Sequence, residues 1–299
     1  MNFRPEGVIP ALVTPLDKEG NLLEQGLRDV IEYTITQGVH GIFVLGSSGE
    51  IYGLSFEQKR RVVEIAVEQA AGRVPVYAGA SEITTRDCIR TAHMVQEVGG
   101  VSALSVLTPY FMTPTQSELI EHYRNIASET DLPIVLYSNP GRTKVPMALS
   151  TVLNLAEVPN VVGVKDSAGD FTLTGDYIRE VPDDFSVIMG RDTLIYPALC
   201  LGAAGAIAST GNIAPKLVSE IYNSYKAGDR ERALRLQNAL SPLRNLVDVA
   251  TFPVVLKEGL RMIGIDAGYC FAPARELDPK YRQALQEAVL AVTTNIEDI

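Results

Sequence analysis

The chain has 299 residues, of which 46% are hydrophobic, and a formal net charge of −10 at pH 7. This length allows one large or two ordinary domains. The acidic charge argues against a nucleic-acid partner, because phosphate binding draws on clustered Lys and Arg. No stretch of about 20 residues is apolar throughout, as a membrane-spanning helix requires, so we expect no membrane partner.

The chain has three cysteines and three histidines, which limits the disulfide and metal sites it can form. The cysteines are Cys88, Cys200 and Cys270, and their odd number and wide spacing suggest reduced thiols. The histidines have no metal-ligand spacing, so we expect neither a metal nor another cofactor. The N-terminal segment Met1–Pro5 lacks the apolar region of a signal peptide. The sequence therefore predicts a cytoplasmic protein.

Short apolar runs alternate with amphipathic segments along most of the chain. Eight runs have the length and β-branched content of buried strands. They are Val8–Val13, Gly41–Leu45, Val74–Ala78, Ala103–Leu107, Pro133–Tyr137, Val161–Lys165, Phe185–Met189 and Gly205–Ala208. The segments between them predict helices near residues 24–37, 56–71, 84–98, 116–129, 147–157, 171–180 and 193–200. Ser55 and Thr115 stand at expected N-cap positions.

About eight such units joined by short loops predict an α/β fold, a closed (β/α)8 TIM barrel, for which roughly 250 residues are typical. The remaining sequence has helical patterns near 213–227, 229–248, 253–264 and 278–293 and no strand pattern. We therefore divide the chain into a catalytic barrel domain, residues 1–225, and a C-terminal helical extension, residues 226–299. An open doubly wound sheet is less favoured, because no Gly-x-Gly-x-x-Gly turn follows the first strand.

A lysine ends the sixth predicted strand. Lys165 follows the apolar run Val161–Val164, and lysine is among the residues least often fully buried. A desolvated ammonium loses its proton more easily, and the free amine can attack a ketone to form a Schiff base. The alternative is an ion pair at the strand end, for example with Asp166, because structural ion pairs also involve lysines. Taken alone, the lysine favours that alternative.

The other predicted strand ends carry polar and aromatic side chains, and catalytic residues of a barrel lie at such ends. They are Gly46–Glu50 after the second strand, Tyr110 and Phe111 after the fourth, Tyr137 and Arg142 at the fifth, and Arg191 and Asp192 after the seventh. Each feature alone is common in turns and cores. A lysine, a tyrosine, hydroxyl groups and an arginine on one face together indicate an active site.

Five segments resemble, in this order, those of the pyruvate-dependent class I aldolase family, which includes dihydrodipicolinate synthase and N-acetylneuraminate lyase. They are GSSGE at 46–50, LTPYFMTPTQ at 107–116, LYSNPGRT at 136–143, GVKDS at 163–167 and LGAAGAIAS at 201–209. The resemblance covers nearly the whole chain. It implies a Schiff-base lyase that acts on small molecules and assembles as a homodimer or homotetramer.

The resemblance also implies three catalytic residues. Lys165 would form the imine with pyruvate, and Tyr137 would be the general acid and base. Ser47 would relay protons to Tyr137.

Five further residues are implied in substrate binding. Ser48, with Gly49 and the backbone amides of this turn, would bind the pyruvate carboxylate. Ile207 would place its backbone carbonyl near the substrate, and Tyr110 would lie beside it. Arg142 matches the arginine with which the synthases hold the carboxylate of aspartate semialdehyde.

Two departures from the family pattern bear on the substrate. The synthases have two tyrosines where this chain has Tyr110 and Phe111, so the relay hydroxyl that a neighbouring subunit donates is missing. The GVKDS segment is closer to 4-hydroxy-2-oxoglutarate aldolases and keto-deoxy sugar-acid enzymes. Around the lysine-feedback site the chain also differs, so we do not expect inhibition by lysine. The residues there are Ile51, Tyr52, Phe56, Lys59 and Ile83.

The leading hypothesis is a lyase of the 4-hydroxy-tetrahydrodipicolinate synthase type, which condenses pyruvate with an aldehyde such as aspartate semialdehyde. One alternative is a retro-aldolase or dehydratase acting on 4-hydroxy-2-oxoglutarate or a 2-keto-3-deoxy sugar acid. Another is a barrel that binds a keto acid without turning it over. A metal-dependent class II aldolase is disfavoured by the unclustered histidines.

Overall fold

The computed structural model describes residues 3–294, 296 and 299. Met1 and Asn2, which belong to the segment inspected for a signal peptide, lie outside the described residues. So do residues 295, 297 and 298 of the predicted C-terminal extension.

Within these residues, eight parallel strands form one sheet in the order β1-β8-β7-β6-β5-β4-β3-β2. The strands are β1 (Gly7–Pro10), β2 (Ile42–Val44), β3 (Val76–Gly79), β4 (Ala103–Leu107), β5 (Ile134–Ser138), β6 (Val161–Asp166), β7 (Ser186–Met189) and β8 (Gly205–Ala208). β1 meets β2 through a bridge between Ala11 and Phe43, where the Leu12 N–H donates to the Phe43 carbonyl at 2.8 Å. The sheet is therefore a nearly closed barrel.

Twelve α-helices surround and extend the barrel in the described part of the chain. They are α1 (Glu24–Thr36), α2 (Phe56–Ala70), α3 (Thr85–Val98), α4 (Gln116–Ser128), α5 (Pro140–Thr143), α6 (Leu149–Ala156), α7 (Phe171–Glu180), α8 (Ile195–Leu201), α9 (Pro215–Lys226), α10 (Arg230–Leu246), α11 (Val254–Met262) and α12 (Arg282–Thr293). Ser55 and Thr115 cap α2 and α4 in full capping boxes, which confirms both predicted N-caps. No helix of the described residues is long and apolar enough to cross a membrane.

The barrel interior is packed with side chains. A cluster of buried residues fills it, formed by Ile9, Ala11, Phe43, Tyr77, Ala103, Val135, Ile188 and Ile207. A larger apolar cluster lies between the strands and the helices. Gly205 lets β8 approach β1, because a Cβ there would lie 2.0 Å from the Gly7 carbonyl oxygen. Because the interior is filled, ligands have access to the barrel at the ends of the strands.

The structure confirms the predicted fold class. All eight predicted strands are present, and their ends shift by at most three residues, as when Val8–Val13 becomes Gly7–Pro10. The helix α5 was not predicted. We propose to keep the division into a barrel unit, residues 1–225, and an extension, residues 226–299. The extension is not a separate body, since the Gln237 side chain donates to the Asp192 carbonyl at 2.9 Å.

Candidate active site

Lys165 lies near the C-terminal end of β6 and is 4% exposed. Its Nζ is 3.9 Å from the ring centroid of Tyr137 and 5.3 Å from that of Phe43. Neighbouring residues of a strand point to opposite faces, and Asp166 accepts hydrogen bonds from Thr174 Oγ1 at 2.6 Å and Ala168 N–H at 2.9 Å. No ion pair joins Asp166 to Lys165 in the described chain, so the ion-pair alternative for this lysine is not supported.

Tyr137, on the neighbouring strand β5, faces the lysine in register with it. Its hydroxyl accepts a hydrogen bond from Asn139 Nδ2 at 3.0 Å. Burial alone would raise the pKa of Tyr137. Four groups lower it by more than burial raises it: the charge of Lys165, hydrogen bonds from Asn139 and Ser47, and the charge of Arg142. The net result is a pKa of about 8 for Tyr137. A phenol with such a pKa can both donate and accept a proton near neutral pH.

The Gly-Ser-Ser-Gly-Glu turn follows β2 and places Ser47 and Ser48 on the same cavity as Lys165. Gly46 is required there, because a Cβ would lie 2.7 Å from the Phe43 ring. Gly49 lies behind the turn: its N–H donates to the Gly46 carbonyl at 3.0 Å, and its carbonyl accepts from Thr14 Oγ1 at 2.8 Å. The serines therefore face the cavity, whereas the amide of Gly49 is already used within the turn.

Arg142 is carried by the one-turn helix α5 and is exposed at the cavity rim. Its guanidinium lies 4.3 Å from the ring centroid of Phe252, which belongs to the extension. The helix is tied to the barrel by Thr143, whose hydroxyl is 3.0 Å from that of Thr108. Arg142 is thus held by side chains from both parts of the chain.

These side chains surround a cavity of about 320 Å³ at the C-terminal end of the barrel. Among its lining residues are eight that the sequence analysis singled out: Ser47, Ser48, Tyr137, Arg142, Lys165, Arg191, Asp192 and Ile207. Asn139, Arg244, Asp248 and Phe252 also line it and were given no role from the sequence. Asn139 stands in a quoted segment and could have been found there, whereas the three residues of the extension have no sequence signal.

Tyr110 lines an adjoining, more apolar cavity of about 370 Å³ that shares Ser47, Arg142 and Phe252 with the first. Burial raises the pKa of Tyr110 to about 12, so it stays protonated at neutral pH. Phe111, next to it, is 95% exposed and has a φ of 71°, which a bulky residue rarely adopts. The described residues contain no group of three or more His, Cys, Asp or Glu side chains that could hold a metal ion.

Known proteins resemble this chain over almost its full length. The model of the dihydrodipicolinate synthetase family matches residues 4–292. A 4-hydroxy-tetrahydrodipicolinate synthase of Methanopyrus kandleri is 38% identical over 288 residues, which are 96% of each chain. A crystal structure of dihydrodipicolinate synthase from Aquifex aeolicus has 33% identity and a TM-score of 0.92, and the match covers 97% of this chain and 100% of that one.

A second crystal structure shows a member with a ligand. It is the chloride-inhibited dihydrodipicolinate synthase of Acinetobacter baumannii in complex with pyruvate, 34% identical with a TM-score of 0.91, and the match covers 96% of this chain and 98% of that one. Both the family model and the relatives span the barrel and the extension. The chain therefore belongs to the dihydrodipicolinate synthetase family.

Proposed function

We propose that this protein condenses pyruvate, bound as an imine on Lys165, with an aldehyde that carries a carboxylate, in the manner of 4-hydroxy-tetrahydrodipicolinate synthase. The family match and the names of the relatives confirm the predicted class, a pyruvate-dependent class I aldolase-type lyase. The site roles below are our proposal. The observation that carries it is the contact between the buried Lys165 and Tyr137, whose pKa is lowered to about 8.

The chemistry begins with Lys165. Its free amine attacks the keto carbon of pyruvate, and loss of water leaves an imine. Tyr137, left as a phenolate by that step, takes a proton from the pyruvate methyl group to give an enamine, whose carbon attacks the aldehyde carbon of the second substrate. Hydrolysis of the resulting imine releases the product and returns the free amine of Lys165. Tyr137 protonates the carbinolamine oxygen that leaves as water and the alkoxide formed from the aldehyde, and Ser47 passes protons to it.

The pyruvate end of the cavity is proposed to be formed by Ser48 and the backbone of the turn, with the carbonyl of Ile207 opposite. Ser48 is 3% exposed and lines the cavity, so its hydroxyl can donate to a carboxylate out of bulk water. Arg142, at the rim, would hold the carboxylate of the aldehyde. Tyr110 would border the aldehyde from the adjoining cavity. Aspartate semialdehyde fits this arrangement, because it carries a carboxylate that Arg142 can hold while the turn holds that of pyruvate.

The retro-aldolase or dehydratase alternative uses the same imine, so it differs in the substrate and not in the role of Lys165. Phe111 favours it over the synthase, because the relay hydroxyl is missing at that position. The names of the relatives favour the synthase. The alternative of a barrel that binds a keto acid without turnover does not account for the lowered pKa of Tyr137, because such shifts are typical of catalytic groups.

We further propose that the protein works in the cytoplasm as a homotetramer built from dimers. The support for the assembly is an exposed apolar group beside the cavity, Tyr52 (56% exposed), Phe111 (95%) and Met112 (46%). Exposed aromatic and methionine side chains are enriched where proteins associate. The three cysteines of the chain are free thiols, in keeping with a reducing compartment.

The imine predicts a covalent adduct. Treating the protein with pyruvate and borohydride is expected to add one reduced pyruvate group to Lys165, located by peptide mass spectrometry. Lys165→Arg is expected to give none, because its guanidinium does not form the imine. An adduct on Lys144 or Lys257 in an active preparation would contradict this mechanism.

The lowered pKa of Tyr137 predicts a titration. Below pH 8 its phenol is protonated, and above pH 8 we expect a phenolate, detected by ultraviolet absorbance. Tyr137→Phe should remove this transition and reduce turnover by roughly 10²–10⁴, and Lys165→Met should move it to higher pH because the lowering charge is lost. Tyr110→Phe is the matched control for the titration alone and should keep the transition near pH 8, since the pKa of Tyr110 is about 12. Near-normal turnover in Tyr137→Phe would show that another group moves the proton.

The guanidinium of Arg142 predicts selectivity for acidic aldehydes. Arg142→Lys cannot form the two parallel hydrogen bonds to a carboxylate, so the KM for aspartate semialdehyde is expected to rise about 10- to 100-fold. Trapping of the pyruvate imine should remain nearly intact. Arg179→Lys, at an exposed arginine that lines neither cavity, is the control. If neutral sugar aldehydes are better substrates and Arg142→Ala leaves their use unchanged, the sugar-acid alternative replaces the synthase.

The exposed Phe111 predicts an oligomer. Light scattering is expected to show at least a dimer, and Phe111→Asp should dissociate it because a charge would be buried at the interface. Leu234→Asp, at an apolar side chain that is 44% exposed on α10, is the control and should keep the assembly. A stable and fully active wild-type monomer would refute the proposal.

A further inference from the structure

A fully buried ion pair connects the extension to the serine-bearing turn. Lys257 Nζ on α11 lies 2.7 Å from Glu50 Oε1, and the two side chains are 1% and 0% exposed. The second oxygen of Glu50 accepts a hydrogen bond from the Phe271 N–H at 2.9 Å. Lys257 also donates to the carbonyl of Tyr269. Both charges are therefore matched by groups from the turn and from the extension.

Glu50, the last residue of the turn, has a left-handed backbone conformation that is unfavourable for a residue with a side chain. Its φ is 52°, and that of Leu45, just before the turn, is 56°. Residues other than glycine are strained in this left-handed region, because Cβ lies too close to the following carbonyl oxygen. The Glu50 N–H donates to the Ser47 carbonyl at 3.3 Å, so a shift of Glu50 is transmitted directly to Ser47. The position of the serines depends on what holds the Glu50 side chain.

Phe271, which donates to Glu50, and Tyr269, which accepts from Lys257, lie on a segment, residues 268–271, that is itself fixed against the barrel. The Tyr269 N–H donates to the Leu16 carbonyl at 2.7 Å, and Leu16 forms a bridge with Gly268. The ring of Phe271 covers Gly53, where a Cβ would lie 2.4 Å from it. The extension thus contacts the turn through Glu50, which does not line the cavity that holds Lys165.

We propose that Lys257 is a positioning residue for pyruvate. By holding the Glu50 carboxylate, it fixes the turn so that Ser47 and Ser48 face Tyr137 and the pyruvate carboxylate. Without Lys257, Glu50 is an unpaired buried carboxylate, and it regains solvation only if the turn moves. This inference rests on the proposed function in one respect, that the two serines contact pyruvate.

The test is Lys257→Met, which removes the charge and keeps most of the side-chain volume. Calorimetry is expected to show a pyruvate Kd raised at least about tenfold, because small displacements of binding groups weaken their interactions strongly. The KM for pyruvate should rise in parallel, with little change in the KM for the aldehyde, which Arg142 holds. The double variant Glu50→Gln with Lys257→Met leaves no unpaired charge, and we expect it to recover part of the pyruvate affinity.

Leu285→Ala is the control for a purely structural effect. Leu285 is 1% exposed on α12, so the variant weakens the packing of the extension without touching the turn. It should lower the thermal midpoint and leave the pyruvate Kd unchanged. The positioning role is overturned if Lys257→Met shows the same pattern, a lower midpoint with a pyruvate Kd within twofold of wild type.

Misfolding of Lys257→Met and failure of the proposed function can both be distinguished from failure of the positioning role. Should Lys257→Met fail to fold, Glu50→Gln takes its place, because it keeps the acceptor for the Phe271 N–H and removes only the charge opposite Lys257. A pyruvate Kd within twofold of wild type then overturns the proposal. If wild-type protein binds pyruvate but gives no borohydride adduct on Lys165, the proposed function falls, and the Kd values of the variants still decide the role of Lys257.

Discussion

The burial of the Lys165 ammonium against two aromatic rings, with no carboxylate paired to it in the described chain, is the constraint on which the site depends. Burying an unpaired charge is costly, and the faces of the Tyr137 and Phe43 rings offset part of that cost. The same charge lowers the pKa of Tyr137 to about 8. Buried lysines are usually paired with a carboxylate, whereas this one lies against two rings and lowers the pKa of a neighbouring phenol.

The fold and much of the site could be predicted because their signals are local. A parallel strand buried on both faces is a short β-branched run, and β6 carries such a run up to Lys165. Once the strands are assigned, the barrel brings their C-terminal ends together, which places Lys165, Tyr137 and Ser48 on one cavity. Helix α5 was not predicted, because its four residues, Pro140–Thr143, are too few to show helical periodicity.

The contribution of the extension could not be predicted, because it depends on contacts between residues that are far apart in the sequence. The apolar periodicity of α11 indicated a helix, but nothing in it showed that Lys257 would meet Glu50. Phe252 likewise looks like an ordinary apolar residue until the fold places it beside Arg142. At Gly49 the sequence indicated the turn. That the N–H of Gly49 is already hydrogen-bonded within the turn became evident only from the structure.

The two parts of the chain divide the work at the cavity. The barrel strands supply Lys165 and Tyr137, whose positions are fixed by the strand register. The rim proposed to receive the aldehyde combines Arg142, on the short helix α5 between strands, with Phe252 from the extension. Loops and added segments vary more easily than barrel strands. Under the proposed roles, a different aldehyde would be accommodated by changes at the rim, and the imine chemistry would stay on the strands.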